Sequence, residues 1–345
     1  MITDSYQIRR AVDGDLPQIL DLLEVGLSST ASKLRTPVFW QWKHITQPFG
    51  PSIIFVAESD GQIVGLRAFM RWAFTSLNGG GEEQHWQAVR AVDTVTHPAY
   101  RRLGIFRQLN EVAIGAAKEA GIDFIFNTPN AQSGAGYLKQ GWQEVGTLPL
   151  FFRINQWKDT VKAGYNFLLK KGRIADVQWQ PTNIEPITQG DQDLFHRLAN
   201  STVEMNRQLS TQFSPEYFEW RYAKHPYVTY YKLPVDQANH YLVVRPNIRF
   251  GVRELVICEL PELVNNEMYE DEIARTLKKS GCSYVVIHSS RYHPNQNVLE
   301  GIGFRKMPQQ FGMTLVVYPL SDKAAEKNLL QLNEWAFSMG TLEVF

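Results

Sequence analysis

Residues 94–109 read Thr94-Val95-Thr96-His97-Pro98-Ala99-Tyr100-Arg101-Arg102-Leu103-Gly104-Ile105-Phe106-Arg107-Gln108-Leu109. An apolar strand stops at a proline, a short basic turn with one glycine follows, and a helical pattern begins. The first turn of a helix leaves backbone N–H groups without partners and carries the positive end of the helix dipole, so an anion docks there. The stretch therefore predicts a site for a phosphate-bearing cofactor. The alternative is an ordinary turn, in which Gly104 is a cap and Arg101 and Arg102 are solvated charges.

A second strand and a short helix follow downstream. They are contained in Gly121-Ile122-Asp123-Phe124-Ile125-Phe126, Asn127-Thr128-Pro129-Asn130-Ala131-Gln132-Ser133 and Tyr137-Leu138-Lys139-Gln140-Gly141-Trp142. Together with the first stretch, these residues resemble the GCN5-related N-acetyltransferase (GNAT) superfamily. Arg101-x-x-Gly104-x-Phe106 matches the acyl-CoA loop of that family, (Arg/Gln)-x-x-Gly-x-(Gly/Ala), except at Phe106. The later family motif is matched by Asn130, Tyr137, Gly141 and Trp142.

The resemblance implies which groups would bind acyl-CoA. Backbone N–H groups of residues 102–107, with the charges of Arg101 and Arg102, would hold the diphosphate. Amides of residues 94–96, where the family's strand bulges, would stabilise the oxyanion. Asn130 would bind the pantetheine arm or would only cap a turn. The expected cofactor-binding residues are Thr94, Val95, Thr96, Arg101, Arg102, Leu103, Gly104, Ile105, Phe106, Arg107, Asn130 and Ser133.

The resemblance also implies how the catalytic residues act. Tyr137 occupies the position of a phenol near the thioester sulfur, so we expect it to be the general acid, and the alternative is a tyrosine that packs in the core. Asp93 is a charge in the apolar run Ala91-Val92-Asp93-Thr94-Val95, and such a charge needs a partner or a function. Asp93 is therefore either the general base or a carboxylate bonded to local backbone, and His85 is the second candidate for the base.

Composition excludes several other classes of protein. Lys plus Arg equals Asp plus Glu, at 35 each, so the net charge predicts neither nucleic-acid nor membrane binding. Cys258 and Cys282 lie in apolar stretches, which favours core packing over a disulfide. The eight histidines have no metal-ligand spacing, so no metal is expected. Neither an export signal nor a long apolar run is present, and we expect a cytoplasmic protein.

The order of predicted elements indicates an α/β fold with a mixed sheet, present as two tandem GNAT-like domains. The first domain is expected at residues 1–154 and the second domain at residues 190–345. Residues 155–189 are expected to form a linker that contains a helix. The two halves share echoes, such as Phe39-Trp40-Gln41-Trp42-Lys43 with Tyr217-Phe218-Glu219-Trp220-Arg221. After Pro261 the second half reads Glu-Leu-Val-Asn-Asn-Glu, which is acidic and lacks glycine, so we expect it to bind no CoA.

The function implied by the resemblance is N-acyl transfer (EC 2.3.1.-), with acetyl-CoA or another acyl-CoA as donor. The acceptor would be the amine of a small molecule, such as an amino sugar or another metabolite, and the amine would attack the thioester directly in a ternary complex. Two alternatives stay open: a tRNA-dependent aminoacyl transferase, which the neutral charge disfavours, and a catalytically silent CoA- or ligand-binding module. The sequence does not define the oligomeric state.

Overall fold

The computed structural model describes residues 5–26, 35–129, 131–168, 179, 181, 183–200, 208–235, 240–260, 267–288, 290 and 296–342. Contacts divide the chain into two compact units. Unit 1 contains Met1–Gly146 and Thr314–Glu334, and unit 2 contains Thr147–Met313 and Trp335–Phe345. Each unit is built on its own mixed sheet, so the predicted α/β fold with two sheets is confirmed.

The strands are β1 (Gln7–Arg10), β2 (Ile53–Ser59), β3 (Gln62–Leu77), β4 (Glu83–Thr96), β5 (Phe124–Asn127), β6 (Gln143–Leu148), β7 (Phe151–Ile154), β8 (Glu185–Pro186), β9 (Leu209–Thr211), β10 (Tyr231–Pro234), β11 (Tyr241–Arg249), β12 (Val252–Glu259), β13 (Tyr284–Ile287), β14 (Arg305–Lys306), β15 (Met313–Pro319) and β16 (Trp335–Ala336). The helices are α1 (Leu16–Gly26), α2 (Pro37–Trp40), α3 (Ile105–Glu119), α4 (Ala131–Leu138), α5 (Trp157–Leu168), α6 (Gln192–Asn200), α7 (Pro215–Phe218), α8 (Glu267–Lys279), α9 (Gln296–Gly301), α10 (Asp322–Glu326) and α11 (Met339–Leu342).

The two sheets share one strand order. In unit 1 the strands run β1-β2-β3-β4-β5-β15-β6, and in unit 2 they run β8-β10-β11-β12-β13-β7-β14. Each sheet has a parallel pair at its centre, β4 with β5 and β12 with β13. A parallel pair requires a crossover connection, and α3 and α8 provide it.

The sixth strand in each order comes from a distant part of the chain. β15 pairs with β5 in unit 1, although it follows nearly all of unit 2 in sequence. β7 pairs with β13 and β14 in unit 2, although it follows unit 1 directly. The units therefore differ from the predicted division at residues 154 and 190, because these two strands are exchanged between the halves.

Local sequence explains the elements that frame the site. The β2–β3 hairpin turns at Asp60 and Gly61, which both have positive φ, as a two-residue hairpin turn requires. α3 buries Ile105, Leu109, Ala113, Ala116 and Ala117, which lie on one helical face, in the core beneath the sheet of unit 1. The predicted helix of the linker is present as α5, where Asp159 and Asn166 bond Ser283 and the Phe250 carbonyl of unit 2.

None of the helices in the described part of the chain is both long enough and apolar enough to span a membrane. Of the acidic segment that follows Pro261, residues 262–266 lie outside the described residues, and Glu267 is the first residue of α8.

Candidate functional site

A bulge interrupts β4 close to its C-terminal end. Leu66 of β3 pairs with Val95 and Ala68 pairs with Val92, so Asp93 and Thr94 together face the single residue Arg67. Asp93 has a φ of 43°, in the left-handed region that few residues other than glycine adopt. The bulge that the resemblance implies is therefore present, and it turns the backbone at the residues expected to stabilise an oxyanion.

The parallel pairing of β4 with β5 ends before this bulge. It covers Ala88 to Arg90 of β4, opposite Phe124 to Phe126 of β5, whereas β4 continues to Thr96. From Ala91 onward, the edge of β4 that faces β5 forms no ladder with it among the described residues. An edge of this kind presents backbone groups that an extended ligand can pair with.

The cofactor loop, residues 101–107, connects the end of β4 to α3. A 3-10 turn at Pro98–Tyr100 precedes it, and Arg102 (φ 70°) and Gly104 (φ 82°) bend the chain before α3 begins at Ile105. Within the described part of the chain, the amides of residues 102–107 donate to no backbone carbonyl, while the next amide, Gln108, bonds the Gly104 carbonyl. The side chains of Arg101 and Arg102 are exposed. The loop thus has the free donors and the positive charge that a diphosphate requires.

Phe106 departs from the family pattern, and its position explains why. Its ring packs on the core beneath the sheet and meets the ring of Tyr137 edge-on, with centroids 5.9 Å apart. The ring is thus directed toward α4 and the core, so its amide remains among the free donors of the loop.

Tyr137 lies on α4 and is only 3% exposed. Its ring packs on Trp142, with centroids 4.6 Å apart. Its phenol oxygen accepts a hydrogen bond of 2.7 Å from Nη1 of Arg67, and the same nitrogen also donates to Oγ1 of Thr94 in the bulge. Arg67 therefore joins the expected general acid to the expected oxyanion site.

Asp93 is held by two buried neighbours. Nζ of Lys43 lies 2.7 Å from Oδ2 of Asp93, and Nε2 of His44 lies 2.8 Å from the same oxygen. Burial alone would raise the pKa of Asp93, but the charge of Lys43 and the hydrogen bond from His44 hold it well below its usual range. Burial lowers the pKa of His44 against the opposing effect of Asp93, so His44 is neutral and its Nδ1 accepts from Ser52 at 3.0 Å.

Lys43 and His44 are placed by a short helix with an irregular second turn. Thr36 caps α2 by accepting from the Phe39 amide, and the helix continues into a π-helical turn at Gln41–Ile45. π-turns occur often at functional sites. The same arrangement recurs in unit 2, with Ser214 as the cap of α7 and a π-turn at Glu219–Ala223. There Tyr222 takes the place of His44 and donates to Glu259 at 2.6 Å.

The other predicted site residues lie in different parts of the structure. Val95 is buried next to the bulge and Ser133 lies half-buried on α4, while Asn130 lies outside the described residues. His85 is exposed on β4. It lies eight residues before Asp93, about 26 Å along an extended strand, so the structure does not bring it to the bulge. Cys258 and Cys282 are buried and free. The described residues contain no group of three potential metal ligands.

Sequence reasoning missed Arg67, Lys43 and His44. Arg67 is a single charge within the apolar run Ile63-Val64-Gly65-Leu66-Arg67-Ala68-Phe69, which is the signal that singled out Asp93. Lys43 and His44 follow two tryptophans, Trp40 and Trp42, in the segment that we considered only for its echo in the second half. A lysine and a histidine beside buried aromatic residues need a buried partner, and that partner is 49 or 50 positions away in sequence.

A mixed sheet with a bulge in one strand of its central parallel pair, followed by a helix start with free amides, matches the acyltransferase class of fold. Comparison with protein families places the first part of the chain within that class. Residues 7–145 match the model of the acetyltransferase (GNAT) domain, so this part of the chain is a GNAT domain. No curated protein matches the sequence.

Solved structures share this fold across both units. The chain is similar to a GCN5-related N-acetyltransferase from Anabaena variabilis, with 13% identity and a TM-score of 0.62, over 93% of this chain and 74% of that one. A GCN5-related N-acetyltransferase from Kribbella flavida has 14% identity and a TM-score of 0.57, over 93% of this chain and 73% of that one. The chain is also similar to the Saccharomyces cerevisiae N-myristoyltransferase with bound myristoyl-CoA, with 10% identity and a TM-score of 0.55. This match covers 92% of this chain and 83% of that one.

Proposed function

We propose that this protein transfers an acyl group, in the first instance acetyl, from acyl-CoA to the amine of a small molecule. The GNAT fold supports acyl transfer from acyl-CoA. The observation that carries the proposal is the run of free amides in residues 102–107. This run follows the β4 bulge along the chain, and its Phe106 ring contacts the ring of Tyr137. An anion-binding loop beside a bulged strand and a buried phenol provides both a binding site and a reaction site.

Unit 1 provides the proposed donor site. The amides of residues 102–107 hold the diphosphate, and the exposed side chains of Arg101 and Arg102 add positive charge. The edge of β4 beyond Arg90 pairs with the extended pantetheine arm, and Ser133 on α4 completes the site. Asn130 remains a predicted contact of the same arm. We assign no CoA site to the second half, because the segment after Pro261 has no glycine and carries negative charge.

The proposed chemistry is a direct attack by the neutral amine on the thioester carbonyl. Amides of residues 94–96 at the bulge donate to the oxygen that becomes negative. Tyr137 then gives its proton to the sulfur as the carbon–sulfur bond breaks. Among the described residues the Tyr137 hydroxyl donates no hydrogen bond and only accepts one from Arg67, so its proton is available for that transfer.

Asp93 is better suited to a structural role than to the role of general base. A carboxylate whose pKa is held far below its usual range is a weak base, and Asp93 already bonds Lys43 and His44. We propose that this ion pair fixes the backbone of the bulge, and that the amine arrives in its neutral form. His85, exposed and distant on the same strand, has no place in this scheme.

Thiol release tests the proposal. The protein is incubated with acetyl-CoA and, separately, with glucosamine, lysine, spermidine and phenethylamine, and free CoA thiol is followed over time. Release that depends on one amine, together with the mass of the acetylated product, supports acyl transfer. Binding of CoA without release from any of these amines supports the silent module. Absence of CoA binding removes the assignment of the cofactor loop and reopens the tRNA-dependent alternative.

A further inference from the structure

Arg67 is a charged residue at the centre of unit 1 that the proposed chemistry leaves without a role. It lies on β3, opposite the two extra residues of the β4 bulge, and its side chain is fully buried. Arginine is rarely buried completely unless its charge is paired. A buried arginine next to the expected reaction centre therefore needs an explanation.

The hydrogen bonds of Arg67 are unevenly distributed. Nη1 donates to the phenol oxygen of Tyr137 and to Oγ1 of Thr94, whereas Nε and Nη2 have no hydrogen-bond partner in the described part of the chain. No ion pair with a described carboxylate involves Arg67. The positive charge is therefore not neutralised by any described acidic side chain.

Three aromatic rings surround the guanidinium. Its central carbon lies 4.5 Å from the ring centroid of Phe69, 5.2 Å from that of Tyr137 and 5.9 Å from that of Trp142. The π-faces of aromatic rings attract a cation and offset part of the cost of removing it from water. They also exclude solvent, so the interaction of the charge with a nearby anion is strong.

We propose, on the basis of the proposed function, that Arg67 is the positioning residue for Tyr137. Its Nη1 holds the phenol oxygen in place, and its charge balances the phenolate that forms when Tyr137 protonates the leaving sulfur. A fixed cation beside a group that becomes negative only during the reaction stabilises the transition state more than the ground state.

The step balances in atoms and charge. The amine nitrogen forms a bond to the carbonyl carbon, and the carbon–sulfur bond breaks with its electron pair moving to sulfur. Tyr137 transfers its proton to sulfur and becomes a phenolate, which keeps the Nη1 hydrogen bond. The nitrogen releases its extra proton to water, and the phenolate takes up one proton from water, so no net charge is left on the protein.

A purely structural role for Arg67 predicts a different outcome. In that case the guanidinium would only fasten α4 to the sheet through Tyr137 and Thr94. Its loss would lower stability and would weaken cofactor binding and turnover together. A positioning role instead predicts loss of turnover alone, and only while Tyr137 retains its hydroxyl.

The test uses the full chain, acetyl-CoA and the amine found in the thiol-release assay. Arg67→Gln keeps a donor but removes the charge, Arg67→Lys keeps the charge, and both are combined with Tyr137→Phe. We expect Arg67→Gln to lower kcat about 100-fold with the Kd for CoA within about twofold of wild type. Arg67→Lys should recover part of that loss, and the Arg67→Gln/Tyr137→Phe double variant should be no slower than Tyr137→Phe alone.

Arg71→Gln, the same change four residues along β3 at an arginine that bonds the Pro51 carbonyl, is the matched control and should keep wild-type turnover.

Two results would overturn the proposal. One is a double variant whose loss of kcat equals the product of the losses in the two single variants, and the other is a wild-type kcat in Arg67→Gln. If Arg67→Gln does not fold, the comparison of Arg67→Lys with and without Tyr137→Phe decides by the same criterion. If the wild type releases thiol with no amine, the proposed function fails and the role of Arg67 fails with it, whereas turnover sensitive to Tyr137→Phe but not to Arg67→Gln rejects Arg67 alone.

Discussion

The ring of Phe106 lies edge-on against the ring of Tyr137, with centroids 5.9 Å apart. Phe106 is on the first turn of α3 and Tyr137 on α4, so this contact joins the proposed cofactor loop to the proposed general acid. It also accounts for the one departure of the loop from the family pattern. Only the amide of Phe106 is needed for a diphosphate, and its ring is free to support the phenol.

Phe106→Ala should therefore separate binding from turnover. We expect the Kd for CoA to stay within about twofold, because the backbone donors remain, and kcat to fall about 10-fold as Tyr137 loses a support. The free energy of unfolding should fall by about 2 kcal/mol. Calorimetric titration with CoA measures the Kd, the thiol assay measures kcat, and urea denaturation measures the free energy of unfolding.

Phe49→Ala is the matched control for this variant. Phe49 is also half-buried in unit 1, but it packs on Trp72, with centroids 5.3 Å apart, and lies outside the proposed site. Its loss should reduce stability and leave kcat at the wild-type value. A Phe106→Ala protein that binds CoA at least 10-fold more weakly with unchanged kcat would contradict this assignment.

The local parts of this fold could be predicted from sequence, and the non-local parts could not. The turn at Asp60 and Gly61 and the start of α3 at Ile105 depend on residues close together in the chain. The exchange of β7 and β15 depends on which of several apolar strands pair with each other. Alternating hydrophobicity identifies a strand but does not define its partner.

The same distinction applies to the site. The cofactor loop is a continuous motif, so the sequence predicts its turn and the start of α3 from neighbouring residues, and its role in CoA binding stays a prediction. The partners of Asp93 come from a helix about 50 positions earlier, and Arg67 meets Tyr137 across 70 positions. A lone charge in an apolar run indicates that a partner exists, and only the folded chain defines which one.

Replacing Arg101 and Arg102 together by alanine should weaken CoA binding. Both side chains are exposed, so stability should change by no more than about 0.5 kcal/mol. The Kd for CoA should rise about 10-fold at low ionic strength, and the difference from wild type should shrink as salt screens the charges. Calorimetry at two salt concentrations measures this effect.

Lys118→Ala/Lys139→Ala is the matched control for charge, because it removes two exposed positive charges that are not part of residues 101–107. Its Kd for CoA should equal that of wild type. If both double variants weaken binding equally, net charge is the cause and the loop assignment is rejected.

The ion pair of Asp93 with Lys43 should contribute strongly to stability. Asp93→Asn keeps a side chain that tolerates a φ of 43°, but it leaves Lys43 without its carboxylate at 2.7 Å. The free energy of unfolding should fall by about 3 kcal/mol, and Asp93→Asn/Lys43→Met should recover part of this loss. Urea denaturation measures each value.

The surface pair of Lys224 with Glu219 provides the control. Its nitrogen and oxygen lie 2.9 Å apart, but the Lys224 side chain is 46% exposed. Glu219→Gln should cost less than about 1 kcal/mol. Equal effects of Asp93→Asn and Glu219→Gln would show that the buried pair has no special role.

The pH dependence of turnover should be determined by the pKa of the acceptor amine and not by the pKa of a group in the protein. Asp93 is ionised across the working range because Lys43 and His44 hold its pKa low despite its burial, so it contributes no inflection near neutral pH. The rate constant kcat/KM should rise with the neutral fraction of the amine. An α-amine (pKa about 8) should therefore give a lower inflection than a lysine side-chain amine (pKa about 10.4). Identical inflections for both acceptors would instead identify a titrating base in the protein.

Stability at mildly acidic pH should depend on His288. Its ring is buried, Nδ1 donates to the Pro149 carbonyl, and burial lowers the pKa of His288 to about 4. Above the unfolded-state pKa of about 6.5 the ring is neutral in both states and contributes no pH dependence. As the pH falls from there toward 4, the unfolded chain takes up a proton that the folded chain does not, so stability is lost, by up to about 3 kcal/mol.

His288→Gln keeps an amide donor but cannot titrate, so its free energy of unfolding should fall less than that of wild type between neutral pH and pH about 4.5. Urea denaturation at each pH measures the difference, and His196→Gln, at an exposed histidine, should follow the wild-type curve. A His288→Gln curve parallel to wild type would show that His288 is protonated in the folded state.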